Sequence, residues 1–288
     1  MTLKRLMRWS GVALAGVALA VFVGGMGVYG ASEYMLRQSS PDKAAAIDVP
    51  SDAASIAEGK RLSFVHGCLS CHGPSAEGNV LFDEPLIARI VAPNLTYSIR
   101  HHSTADIITA IRKGVRPDDG TTMMVMPSQA FAPLSDSDLG HILGYLASLP
   151  PSEGLEGGIS IGPIGRLGLL TGKYQTSLQL VERASPPPEA TDAETTLGRY
   201  LARTSCAQCH AADLGGAEHP EGVAPSLRVV AAYSPDDFAT LMRTGVGSGG
   251  RKLGVMTGWA AMNFSNFSSE EVRALYRYLH GMPEAGVR

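Results

Sequence analysis

Cys68-Leu69-Ser70-Cys71-His72 and Cys206-Ala207-Gln208-Cys209-His210 are two copies of one pattern, C-x-x-C-H, in a chain of 288 residues. Two thiols three positions apart can add to the two vinyl groups of one porphyrin, and the imidazole that follows then falls beneath the iron. The pattern is the attachment signature of a c-type haem. The chain has four cysteines, and the two motifs use all of them. A zinc site would pair its C-x-x-C steps roughly 15–20 residues apart, whereas Cys71 and Cys206 lie in opposite halves of the chain. A thioredoxin-like dithiol would sit beside a βαβ pattern, which the sequence lacks. The residues therefore call for two covalently bound haem c groups, with His72 and His210 as the proximal iron ligands.

A haem held by one histidine is closed on its other face by methionine when it carries electrons, or left open when it does chemistry. Methionine placement therefore decides the function. In the first half Met123, Met124 and Met126 share a loop, and Met126-Pro127 is the expected ligand because proline fixes the backbone beside it. In the second half the candidates are Met256 and Met262. Met126 lies 12 residues after Gly114 and Met256 lies 11 after Gly245, against 17 for Met262. That spacing favours Met256 and leaves Met262 as a packing residue. Met242 and Met282 belong to apolar helix stripes and are expected in the core. The six histidines outside the motifs (His66, His101, His102, His141, His219 and His280) are expected to be non-ligating, with His141 and His280 on polar helix faces.

The elements that must position these ligands occur twice. Each copy opens with a short helix carrying Gly59 or Gly198, and later reads Ala92-Pro93-Asn94-Leu95 or Ala224-Pro225-Ser226-Leu227. A helix follows behind a Ser-x-x-Asp cap, Ser103 to Asp106 or Ser234 to Asp237, and runs to Gly114-Val115 or Gly245-Val246. The last helix is capped by Ser135 and Asp138 in one copy, and by Ser268 and Glu271 in the other. Its apolar residues recur at i, i+3, i+4 and i+7, at 139, 142, 143 and 146 and at 272, 275, 276 and 279. Both copies close on Tyr-Leu-x-x-x-Pro, and neither shows strand alternation.

The predicted fold class is all-α: two tandem small cytochrome c-type haem domains, residues 55–150 and 192–288, behind an N-terminal transmembrane helix. Residues 151–191, with Gly157-Gly158 and Pro186-Pro187-Pro188, read as a connector along one domain's surface. Residues 36–54 read as a flexible tether. Residues 1–35 hold basic Lys4, Arg5 and Arg8, then an uncharged apolar run from Gly11 to Ala31. Twenty apolar residues suffice to cross a bilayer, and the run is longer than a cleavable signal needs, so an uncleaved anchor is favoured over a signal peptide. The basic start would keep the amino terminus in the cytoplasm. The haem domains would then lie in the periplasm, on a single-pass anchor in a bacterial inner membrane. A net charge of −3 without a basic block excludes nucleic acid as a partner class.

With these motifs placed, the chain resembles class I cytochromes c, and most of all the membrane-anchored cytochrome subunits of bacterial periplasmic dehydrogenases. The resemblance covers residues 55–150 and 193–283. It implies that the Pro93 and Pro225 carbonyls accept the proximal imidazole N–H of His72 and His210. It also implies that Gly59 packs on Tyr145 and Gly198 on Tyr278. After Ala-Pro-Asn-Leu-Thr the family continues with a glycine-rich turn and a tryptophan, where this chain has Tyr97-Ser98-Ile99-Arg100-His101-His102. The expected function is single-electron transfer between a dehydrogenase or quinol-oxidising complex and an acceptor such as a terminal oxidase. The competing expectation is a dihaem enzyme with one open iron, of peroxidase or thiosulfate-oxidising type.

Overall fold

The computed structural model describes residues 3–219 and 222–283, without the side chains of 3–6 and 8. The side chains of Lys4, Arg5 and Arg8, and the end of the second domain past 283, lie outside the described residues. In chain order the first part comprises α1 (Leu3–Leu36), α2 (Ala53–Val65), α3 (Cys68–His72), β1 (Asn79–Glu84), β2 (Ala88–Ala92), α4 (Leu95–His101), α5 (Thr104–Lys113), α6 (Ser128–Phe131) and α7 (Asp136–Ser148). The connector holds β3 (Gly158–Ile161), α8 (Pro163–Leu170) and α9 (Ser177–Arg183). The second domain follows with α10 (Ala193–Thr204), β4 (Ala217–His219), β5 (Gly222–Ala224), α11 (Pro235–Thr244), β6 (Val246–Gly247), β7 (Arg251–Lys252), α12 (Val255–Met262) and α13 (Ser269–His280), joined by short 3-10 turns.

Each domain is closed by its first helix crossing its last, and a glycine sets the distance. A Cβ added to Gly59 would stand 1.9 Å from the His141 carbonyl oxygen and 2.9 Å from Tyr145 Cβ. At Gly198 it would stand 2.1 Å from the Ala274 oxygen and 2.6 Å from Tyr278 Cβ. The serine caps form as the sequence predicts. Ser103, Ser135, Ser234 and Ser268 each accept the amide of the residue three ahead, and Glu271 returns the bond in a full capping box.

The domains do not sit apart. One apolar core runs through Val65, Ala130, Phe131 and Leu134 of the first and Leu201, Phe238, Leu241, Phe264 and Leu275 of the second. The polar contacts around it obey a pseudo-twofold rule. Arg61, two residues past Gly59, donates to Glu271 Oε2 at 2.8 Å. Tyr200, two residues past Gly198, donates to Asp138 Oδ2 at 2.5 Å and accepts the Ser135 amide at 3.1 Å. In both directions the first helix of one domain therefore reaches the capped start of the other domain's last helix.

Two segments differ from expectation. Residues 36–54 do not hang as a flexible tether but form a packed strap. Lys43 pairs with Asp106 at 2.7 Å, the Ala44 amide donates to Thr109 Oγ1 at 2.8 Å, and Ala44, Ile47 and Val49 pack on Ile107, Ile108, Leu139 and Leu143. Gly140 and Gly144 leave a track on α7 for the backbone at Asp48 and Pro50. Short strands also appear beside the helices. β1, β2 and β3 form an antiparallel sheet in which the connector strand pairs Ala88 with Ile161 and Val91 with Gly158. The connector thus lies on the first domain.

Candidate functional site

The attachment segments begin where α2 and α10 end. After each histidine the chain makes the same loop. Ala76 and Leu214, four residues past His72 and His210, take the left-handed conformation (φ 61° in both) and are fully buried. This backbone costs a non-glycine residue about 1 kcal/mol or more, so the surrounding loop must hold it in place. Gly78 and Gly216, six residues past, donate back to the His72 and His210 carbonyls at 2.8 and 3.0 Å. The loop then binds the Ala-Pro segment: the Leu95 amide donates to the Ala76 oxygen, and that of Leu227 to the Leu214 oxygen.

This clamp brings His72 Nδ1 to 2.8 Å from the Pro93 oxygen, and His210 Nδ1 to 2.7 Å from the Pro225 oxygen. A carbonyl only accepts, so each Nδ1 carries the proton and each Nε2 presents its lone pair. Burial holds both imidazoles below the ordinary histidine range, so they stay neutral, the form that binds iron. Burial pushes the Cys68 and Cys206 thiols up to about 12. A thiol pair beside an imidazole with a fixed tautomer is the donor set that covalent haem c requires, and it is present twice.

The two attachment segments face each other across the domain boundary. Burial raises the Cys71 thiol, and Cys209 of the other segment raises it further. Ser70 donates to Asn263 Oδ1 at 2.8 Å and to Met262 Sδ at 3.4 Å. The Trp259 ring covers Gly67, and Gln208 Nε2 donates to the His66 carbonyl at 3.1 Å. His66 sits at the centre, 1% exposed, with Nδ1 at 3.3 Å from both the Thr204 carbonyl and the Ser205 hydroxyl. Its burial has no sequence signal beyond its place two residues before Cys68.

The methionines differ between the domains. Met126 is half-buried against the shared core, in a loop where Val125 has φ 71°. The connector braces that loop: the Ser177 amide donates to the Met123 oxygen and its hydroxyl to the Met126 oxygen, each at 2.8 Å. Gly157 packs on the Pro93 ring. Met256 is also half-buried against the core, but it stands on helix α12. Met262 is not a packing residue. It is 58% exposed, because the last turn of α12 carries it out to Ser70. Met242 and Met282 are buried as expected.

Among the other histidines, His101 stacks on Tyr97 at 3.7 Å, His102 lies 3.4 Å from Asp118, and His219 Nε2 approaches the Cys209 carbonyl at 2.6 Å. Where the family has its tryptophan turn, residues Leu95–His101 form helix α4, capped by Asn94.

The cytochrome c family model matches residues 56–150, and the model described as cytochrome c oxidase, cbb3-type, subunit III matches residues 193–279. The chain is similar to the cytochrome c subunit of alcohol dehydrogenase (quinone) from Gluconobacter oxydans, 26% identical over 81% of this chain and 55% of that protein. A dihaem c-type cytochrome of Cereibacter sphaeroides is 23% identical over 93% of this chain and 97% of its own length. The fructose dehydrogenase cytochrome subunit of Gluconobacter japonicus is 20% identical over 80% of this chain and 53% of that protein. The chain spans little more than half the length of the dehydrogenase subunits it matches.

Proposed function

We propose that this dihaem cytochrome c, homologous to the cytochrome subunits of quinone-linked dehydrogenases, passes single electrons from a dehydrogenase or quinol-oxidising complex to an acceptor such as a terminal oxidase. Helix α1 holds it to a bacterial inner membrane with the haem domains in the periplasm. Trp9–Leu36 runs for 28 residues, and its most apolar 18-residue stretch has a mean hydropathy of 2.1, long and apolar enough to cross a bilayer. Bound haem c supplies reversible one-electron iron chemistry.

The chain's own residues do the rest. Cys68 and Cys71 would hold one group and Cys206 and Cys209 the other. His72 and His210 would ligate through Nε2, oriented by the Pro93 and Pro225 carbonyls. Met126 and Met256 would supply the second ligand of each iron, which would raise the potential and deny a substrate the iron. The observation that carries this reading is the repeated pairing of a motif histidine with a proline carbonyl, each beside its own thiol pair.

Potentiometric titration of the full-length holoprotein tests it. The expected record is two reversible one-electron waves, with no consumption of hydrogen peroxide by the reduced protein. Sustained peroxide turnover would instead favour the dihaem enzyme.

A further inference from the structure

Helix α8 is built inside out. Its outward residues are Pro163, Ile164, Leu167 and Leu170, all apolar, and the last three are 52%, 53% and 37% exposed. Spaced by three, they share one face. Its one charged residue, Arg166, is turned inward and 9% exposed. A soluble helix places these the other way round.

Arg166 also fixes where α8 lies along α1. Its guanidinium stacks 3.8 Å over the Tyr29 ring, Nη1 donates to Ser32 Oγ at 2.8 Å, and Nη2 pairs with Glu33 at 3.1 Å. Tyr29 to Glu33 is where the apolar run gives way to charge, the level at which tyrosine collects in membrane proteins. The apolar face continues onto the β1–β2 turn. Leu86 is 62% exposed, and its carbonyl accepts the Ile164 amide at 2.9 Å. Gly162 and Gly165 let that turn press against α8. The Asp83–Arg89 ion pair and the exposed Lys173 border the patch.

We propose that α8, with Leu86, is an interfacial element that lies in the headgroup boundary of the lipid bilayer beside α1. The inference rests on the reading of α1 as a membrane anchor. Lipid is the occupant because Arg166 holds α8 against Tyr29, Ser32 and Glu33 of α1, at the end of an apolar run whose Val21, Phe22, Val23 and Met26 are themselves exposed. An outward apolar face is what a helix lying in the interface plane buries between headgroups and acyl chains. Through β3 and α9 this contact fixes the first domain, and with it the Met126 loop, at a set height over the membrane.

Nitroxide labelling of single-cysteine variants tests the proposal in the full-length holoprotein, reconstituted in vesicles of phosphatidylcholine and phosphatidylglycerol. Ile164→Cys and Leu167→Cys report on α8, Val17→Cys on the middle of α1, and Glu182→Cys on exposed α9. All four native cysteines are committed to haem, so each introduced thiol is the one labelled. The labels at 164 and 167 should collide with oxygen less than the label at 17 but more than the label at 182, and with a water-soluble nickel chelate several-fold less than the label at 182. Labels at 164 and 167 open to nickel, with 17 still in lipid, would overturn the proposal alone. Labels shielded from both reagents would mean a protein covers the face, and would overturn it too. A label at 17 open to nickel would remove the anchor itself. Unchanged haem absorbance verifies that each variant is folded.

Discussion

Gly59 under Tyr145 and Gly198 under Tyr278 mark the same helix crossing in the two domains, and Pro93 and Pro225 hold the same imidazole nitrogen. The domains part company on the methionine side. In the first, Met126 hangs on a loop with a left-handed Val125, tied down by two hydrogen bonds from Ser177 of the connector. In the second, Met256 rides on helix α12, whose other end reaches across to Ser70 and Gly67 of the first domain. The proximal half of the site is fixed by the domain's own loop, and the distal half depends on what lies outside it. On the proposed ligation the two irons would be differently supported and should differ in potential, on the same attachment chemistry.

The largest effect that would break or sharpen this comparison comes from the ligands. Met126→Ala should drop the midpoint potential of one haem by on the order of 0.1–0.3 V, within the ~0.8 V that axial ligation spans. It should leave the other haem near its native value, and Met256→Ala should do the converse. Potentiometric titration of each variant checks this. If Met262→Ala shifts the second haem and Met256→Ala does not, the ligand assignment is wrong. Next come the crossings. Gly59→Val and Gly198→Val push a branched side chain into backbone at about 2 Å, and each should cost about 3 kcal/mol in denaturant unfolding.

A third test uses a group that only one domain has. His66 is buried at the junction, where its counterpart is Thr204. Desolvation lowers His66 to about 4, against its hydrogen bond to the Thr204 carbonyl and the attraction of Asp138 and Glu271. The unfolded chain therefore binds the proton first as pH falls. Stability should be complete above about pH 6.5, decline by about 3 kcal/mol as pH falls to about 4, and then level off. His66→Gln should flatten that slope in unfolding curves measured across the range.

The smallest effect concerns the residue after each motif histidine. Gly73 and Ala211 both have positive φ, 85° and 63°. Ala211→Gly should stabilise the second domain by roughly 0.5–1 kcal/mol, and Gly73→Ala, at φ 85° and ψ 153° where glycine alone is at ease, should destabilise the first by about 1–3 kcal/mol. Thermal melts of the two variants give the comparison.

The parts legible in the sequence were those where one residue type has one use. C-x-x-C-H, the serine caps and the apolar helix stripes each carry a local signature, whereas the glycine crossings followed only from the family resemblance. The strap at 36–54 was misread because small polar residues also describe a linker, and the track that receives it is made by Gly140 and Gly144, some 90 residues away. The connector's fold was illegible because β3 exists only through its pairing with β2. His66 and Met262 depend on how the two domains meet, and the sequence of either domain alone contains no trace of that. The left-handed Ala76 and Leu214 are alanine and leucine in name, and only the loop around them makes them special.

The most direct test is to reduce the purified full-length holoprotein and record its haem absorbance before and after adding carbon monoxide. Two irons each closed by histidine and methionine predict an unchanged spectrum. Conversion of half the haem would show that one iron is open and would contradict the carrier.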